Sequence, residues 1–136
     1  MATGQTTPEN VKHELATIFH GALARKDWAA LQTIMSADVT WTLPGDNQIS
    51  GTAEGLDAVI ARAELIASYG LDFDLQHVLI SRDNMALSLR NTARRGELVL
   101  DEHLATVCRI RDGRIVAIET YLSDVNGMNS FFADLP

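Results

Sequence analysis

The hydrophobic period of this chain changes at Gly70, and that change restricts it to an α+β fold in which helices dominate the first half and strands the second. Before Gly70, Val11, Leu15, Ile18, Phe19, Ala22 and Leu23 recur at helical spacing and leave Lys12, Glu14, Arg25 and Lys26 for solvent. Thr7-Pro8 predicts the start of this helix, because a proline in the first turn forfeits no hydrogen bond. Asp27 is placed to cap a second, shorter helix containing Trp28, Leu31, Ile34 and Met35. Asp57 begins a third, with Val59, Ile60, Ala63, Leu65 and Ile66 on its buried side. Between the second and third helices, Val39, Trp41 and Leu43 alternate with Thr40 and Thr42 as a strand that stops at Pro44-Gly45, and residues 45–55 read as a loop. After Gly70 the period of two predicts strands over 71–81, 85–94, 98–110 and 114–122, with turns at Arg82-Asp83-Asn84, Arg95-Gly96 and Asp112-Gly113. The last two turns are tight, so the second half is an antiparallel meander.

With 136 residues, the chain has room for one domain and one core, expected over residues 8–125. Residues 1–7 are expected to fray. The tail over 126–136 carries Met128, Phe131, Phe132 and Leu135, enough apolar material either to lid a pocket or to cover a dimer interface. Eleven Lys and Arg against eighteen Asp and Glu give a net charge of −7, which argues against a protein that holds nucleic-acid backbones. A single cysteine, Cys108, excludes an internal disulfide framework and a thiolate-built zinc site. No basic start precedes an apolar run, and nothing approaches the ~18 to 20 apolar residues of a membrane helix. The expectation is a soluble cytoplasmic protein with neither nucleic acid nor membrane as partner.

Several segments together resemble a known family: the helix pair, then ADVTWTLPG at Ala37 to Gly45, ISGTAEG at Ile49 to Gly55 feeding a helix, and RIRDGRIV at Arg109 to Val116 followed by Glu-Thr-Tyr-Leu. They are similar to the SnoaL-like, polyketide cyclase-like branch of the nuclear transport factor 2-like superfamily, over about Pro8 to Asp124. The resemblance implies a cone-shaped α+β domain. In it a strongly curved antiparallel or mixed sheet wraps around about three N-terminal helices, its concave side is a hydrophobic pocket, and the protein is a homodimer. It implies no single activity, because this fold hosts cyclases, isomerases, epoxide hydrolases, dehydratases and proteins without chemistry. None of the family's carboxylate positions carries an acid here. The residue before the proline that ends the first strand is Leu43, the residue before the last-strand tyrosine is Thr120, and the position two beyond that tyrosine is Ser123, with Asp124 one place later.

Among the residues able to do chemistry, Asp101, Glu102 and His103 form the densest group. Alternation places Asp101 and His103 on one strand face, and Glu102 with Leu104, Thr106 and Cys108 on the other. Of the two faces, the one with Asp101 and His103 is the preferred candidate for acid–base work, since histidine titrates nearest neutrality. The alternative is that both lie on a solvated or dimer-facing side. Tyr121 is a candidate donor to a bound carbonyl and Asp124 a second carboxylate at the strand end. Trp41, His20, Phe19 and Leu43 are candidate ligand-binding residues, against the alternative that they are core. No ligand spacing for a metal and no phosphate-cradling loop occurs, so neither a metal nor a cofactor is expected. Two functions stay open: a cofactor-free isomerase, cyclase or hydrolase acting on an apolar or aromatic small molecule, and a non-catalytic binding or homodimeric assembly protein.

Overall fold

A computed structural model of the chain describes residues 7–136, and the expected fray over 1–7 falls, except for Thr7, outside the described residues. Helix α1 spans Glu9–Arg25 and ends on Lys26, which takes the left-handed conformation at φ 59°. Helix α2, Trp28–Thr33, begins at Asp27, whose side chain accepts a hydrogen bond from the Ala30 N–H at 3.1 Å. Strand β1 then runs over Met35–Leu43, so Ile34 and Met35 leave the second helix earlier than their spacing predicts. The loop expected over 45–55 contains a short strand, β2 at Gly51–Glu54, which folds back on β1. Helix α3 covers Leu56–Ser68. Strands β3 (Asp72–Ile80), β4 (Asn84–Arg95), β5 (Leu98–Arg111) and β6 (Arg114–Leu122) follow as a meander, and a last helix, α4, covers Val125–Phe131.

The six strands form one mixed sheet in the order β2-β1-β6-β5-β4-β3. All neighbours are antiparallel except β1 and β6, which pair in parallel. At the β5–β6 turn Asp112 and Gly113 both have positive φ, 53° and 75°, the geometry that lets a two-residue turn match the twist of its strands.

The expected architecture needs correction in one respect. The sheet is not strongly curved and does not form a cone: β1 joins β6 by a single parallel pair and extends the sheet sideways, leaving β2 and β3 as open edges. The three expected helices, α1, α2 and α3, all precede β3, and a fourth, α4, follows the last strand.

The core lies between one sheet face and the helices. From the sheet, Leu87, Leu89, Leu100, Leu104 and Ile118 point inward; from the helices, Leu15, Phe19, Val59 and Ala63 meet them. Lys12, expected in solvent, is buried instead, and its Nζ donates to the carbonyls of Ser81 at 2.8 Å and Arg82 at 2.6 Å. The ammonium thereby satisfies the carbonyls of the β3–β4 turn and ties α1 to it. On α3, Arg62 does similar work at the other end, donating to the carbonyls of Trp41 (2.7 Å), Gly51 (2.9 Å) and Ser50 (3.2 Å).

Candidate functional site

A pocket opens between the inner sheet face and helices α1, α3 and α4, with about 450 Å³ of atom-free space including its mouth. Helix α1 contributes Phe19 and Leu23, β1 contributes Trp41 and Leu43, and α3 contributes Ile66. Met128 and Phe132 line it from the α4 side.

Two sets of hydrogen bonds hold α4 and the residues after it in place. Asn129 Oδ1 accepts from the Asp46 N–H at 2.7 Å and from Asn47 Nδ2 at 2.8 Å, joining α4 to the β1–β2 loop. Gly45 belongs to this set: its φ is 103°, and a Cβ there would sit 2.5 Å from Asn129 Oδ1. On the other side Arg95 donates to the carbonyls of Phe131 (2.6 Å), Asp134 (3.0 Å) and Leu135 (3.1 Å), with its guanidinium 4.9 Å from the Tyr69 ring centroid. Tyr69 adds a bond from its hydroxyl to the Asp134 carbonyl at 2.8 Å.

The pocket wall is apolar apart from a few groups. Trp41 Nε1–H donates to Thr120 Oγ1 at 3.0 Å, and Thr120 Oγ1 lies 3.2 Å from Thr106 Oγ1 on the neighbouring strand. Phe19 meets the Trp41 ring edge-on, centroids 6.3 Å apart. Asn91 on β4 is only 5% exposed, and its Oδ1 is shielded from solvent without a hydrogen-bond partner among the described residues. None of the described residues lining the pocket is ionisable at neutral pH.

The strand-face question is settled by register. Glu102, Leu104, Thr106 and Cys108 turn inward, whereas Asp101 and His103 turn to solvent on the opposite face. There Asp101 forms a bidentate pair with Arg90, both bonds 2.9 Å, and the guanidinium's hydrogen bonds hold its carboxyl below the usual carboxylate range. Tyr121 is also on the outer face, 55% exposed, with its hydroxyl 3.4 Å from Glu119 Oε1. The Asp124 carboxylate caps α4 by accepting from the Gly127 N–H at 2.9 Å. Phe19, Trp41 and Leu43 come together in the pocket wall. His20 does not join them: its Nε2–H donates to the Phe73 carbonyl at 2.7 Å and fastens α1 to β3.

Sequence reasoning passed over Glu102, which is 1% exposed and lies opposite Asn91 in the β4–β5 register. Its Oε1 accepts from the Asp124 N–H at 2.6 Å and from the Ser123 hydroxyl at 3.2 Å. Burial raises its carboxyl above the usual range, and these hydrogen bonds oppose the rise. The signal was its place in an apolar register, alternating with Leu100, Leu104 and Cys108. Among the described residues no group of three or more His, Cys, Asp or Glu is arranged to hold a metal ion, and no helix is long and apolar enough to cross a membrane.

Helices packed on one face of a mixed six-stranded sheet over an apolar pocket define an α+β domain of nuclear transport factor 2-like fold, the fold of small-molecule pocket proteins. The model of the SnoaL-like domain matches residues 16–118, and the chain belongs to that family. An uncharacterized protein of Mycobacterium tuberculosis is 29% identical over 116 residues, 82% of this chain and 88% of the relative. Among solved structures, Bal32a from a soil-derived mobile gene cassette superposes with a TM-score of 0.84 at 25% identity, over 90% of this chain and 97% of its own. A protein of unknown function with a cystatin-like fold from Xanthomonas campestris gives 0.80 at 25% identity, covering 90% and 98%.

Proposed function

We propose that this protein binds an apolar small molecule in the pocket between the sheet and α1, α3 and α4. The observation that carries the reading is the composition of the pocket wall, apolar side chains interrupted only by Asn91 and by the Trp41–Thr120–Thr106 chain. Such a surface recognises a ligand by area and a few oriented hydrogen bonds. Titration of isotope-labelled protein with naphthalene tests it, with backbone amide shifts expected at Phe19, Leu43 and Leu104 and not on the outer face. Shifts confined to the outer face, or none, overturn it.

A second reading, cofactor-free acid–base catalysis of the SnoaL-like kind, is favoured by one observation: a buried carboxyl, Glu102, stands opposite a pocket-wall residue. A carboxyl raised by burial suits a proton donor or acceptor nearer neutrality. In this reading Glu102 takes the role that residue type alone would give to Asp101, His103, Tyr121 or Asp124. Wash-in of solvent deuterium α to the carbonyl of 2-tetralone, accelerated by the protein and lost in Glu102→Gln, is the expected result. No acceleration by the native protein removes it.

Either reading includes a homodimer built on the outer sheet face, where Leu79 and Tyr121 are more than half exposed and Val107 and Val116 are partly covered. Light scattering is expected to give twice the chain mass, and a monomer at all concentrations refutes it.

A further inference from the structure

The polar groups of the pocket are few enough to count proton by proton. Trp41 Nε1–H, the Thr106 hydroxyl and the Thr120 hydroxyl hold three donor protons, and two hydrogen bonds link them. The Trp41 N–H uses one proton on Thr120 Oγ1, and the Thr106–Thr120 bond uses one hydroxyl proton, whichever threonine donates. One hydroxyl proton of the pair is therefore left without an acceptor among the described residues. Asn91 stands at the other end, with a buried Oδ1 that accepts nothing among the described residues and an amide nitrogen that brings two protons of its own. Leaving such groups unpaired is costly, and a ligand relieves the cost if it brings the matching partners.

The sheet register sets where these two poles stand. Asn91 pairs with Glu102, Leu89 with Leu104, and Leu87 with Thr106, all on the inner face. Asn91 and Thr106 are thus separated by two steps of the pleat, roughly 13 Å along the strands between Cα atoms. Leu89 and Leu104 fill the interval and both line the pocket. A single functional group cannot touch both poles, whereas a body about two fused or linked rings long can.

Charge narrows the ligand further. No lining residue among those described offers a cation to a buried anion, and the Glu102 carboxyl stands directly across from Asn91. An anionic group brought to that end would lose hydration and gain no counter-charge.

We infer that the pocket is built for an uncharged, elongated apolar molecule with a polar group at each end, a hydrogen-bonding group for the Asn91 amide and an acceptor for the spare hydroxyl proton of the Thr106–Thr120 pair. The inference rests on the pocket-binding reading above and specifies its ligand class.

Three probes separate the two. 4,4′-Dihydroxybiphenyl has a polar group at both ends, 4-hydroxybiphenyl has one, and 4′-hydroxybiphenyl-4-carboxylate has an anion at one end. Hydrophobicity alone ranks 4-hydroxybiphenyl above the dihydroxy compound, so the reverse order is diagnostic. Titrations followed by amide shifts at residues 91, 106 and 120 are expected to show the dihydroxy compound binding about tenfold tighter than either of the others, the worth of one hydrogen bond. Asn91→Leu, close in volume, is expected to erase that advantage while leaving 4-hydroxybiphenyl bound. If 4-hydroxybiphenyl binds in the pocket as tightly as the dihydroxy compound, or the carboxylate binds tightest, the two-pole inference fails and the pocket reading stands. If none of the three shifts pocket residues, both fail. The native protein's ranking needs no variant, so a poorly folding Asn91→Leu does not blunt the test.

Discussion

Glu102 Oε1 lies 2.6 Å from the backbone nitrogen of Asp124, so a buried carboxyl on the sheet anchors the first turn of the helix that lines the pocket. The same oxygen holds the Ser123 hydroxyl, and the strand end is fixed once more by the Ser123 N–H on the His103 carbonyl at 2.9 Å.

The pH dependence of stability follows from the direction of the Glu102 shift. Burial raises its carboxyl, so between the ordinary carboxylate range and the raised value the folded chain holds a proton that the unfolded chain releases. Its contribution is fully present at pH values below the ordinary range and is lost as pH rises through the raised value. Urea unfolding of the native protein and Glu102→Gln across pH 4 to 8 is expected to show the native protein losing stability relative to the variant as pH rises, with the difference level thereafter. Native protein that gains stability relative to the variant as pH rises contradicts this.

Arg95 holds the tail by three charge-assisted bonds to its carbonyls. Arg95→Ala is expected to cost about 2 kcal/mol and to accelerate amide hydrogen exchange across Val125–Phe131 more than in β5. Arg95→Lys is not expected to rescue it, since an ammonium lacks the planar fork that reaches three carbonyls and stacks on Tyr69. Uniform acceleration through the sheet would instead assign Arg95 to global stability.

Cys108 is buried on the inner face of β5, and burial pushes its thiol up to about 12. A disulfide reagent at pH 8 is expected to leave the folded protein unmodified and to titrate one thiol per chain after denaturation. Rapid reaction of native protein would place Cys108 in contact with solvent.

Asp101 and His103 are on the outer sheet face, with the body of the sheet between them and the pocket. Asp101→Ala and His103→Ala are expected to leave the naphthalene titration at pocket residues unchanged. A loss of pocket binding in either would require the outer face to communicate with the inner one.

Much of this architecture is legible in residue order, because it rests on local periodicity. The alternation from Arg114 to Leu122 and the Asp112-Gly113 turn define β6 and its hairpin without reference to the rest of the chain. Strand β2 is not legible in this way: it has four residues, of which only Ala53 is buried, and it exists because β1 lies beside it. Helix α4 carries Gly127 at its centre and owes its first turn to Asp124 and Glu102, a partner twenty-two residues upstream. The site follows the same division. Trp41, Phe19 and Leu43 announce themselves by apolar spacing, whereas Glu102 stands between two chemically louder neighbours, and only its register with Leu100 and Leu104 shows it turning inward. His20 has the composition of a pocket residue and the contacts of a helix fastener, a distinction made by the Phe73 carbonyl. The overall curvature of the sheet is set by long-range pairing, which local pattern does not contain.

The parallel pairing of β1 with β6 also governs how the chain comes together in time. A ribosome delivers β1 and β2 long before β6 exists, and through that interval the inward edge of β1 has no partner and the Trp41 indole no threonine to bind. Closing so long a loop is entropically slow, and contacts of this separation place folding late and in one cooperative step. The first half of the chain thus exposes the edge of an apolar strand until β6 is made, the condition under which association with other chains competes with folding.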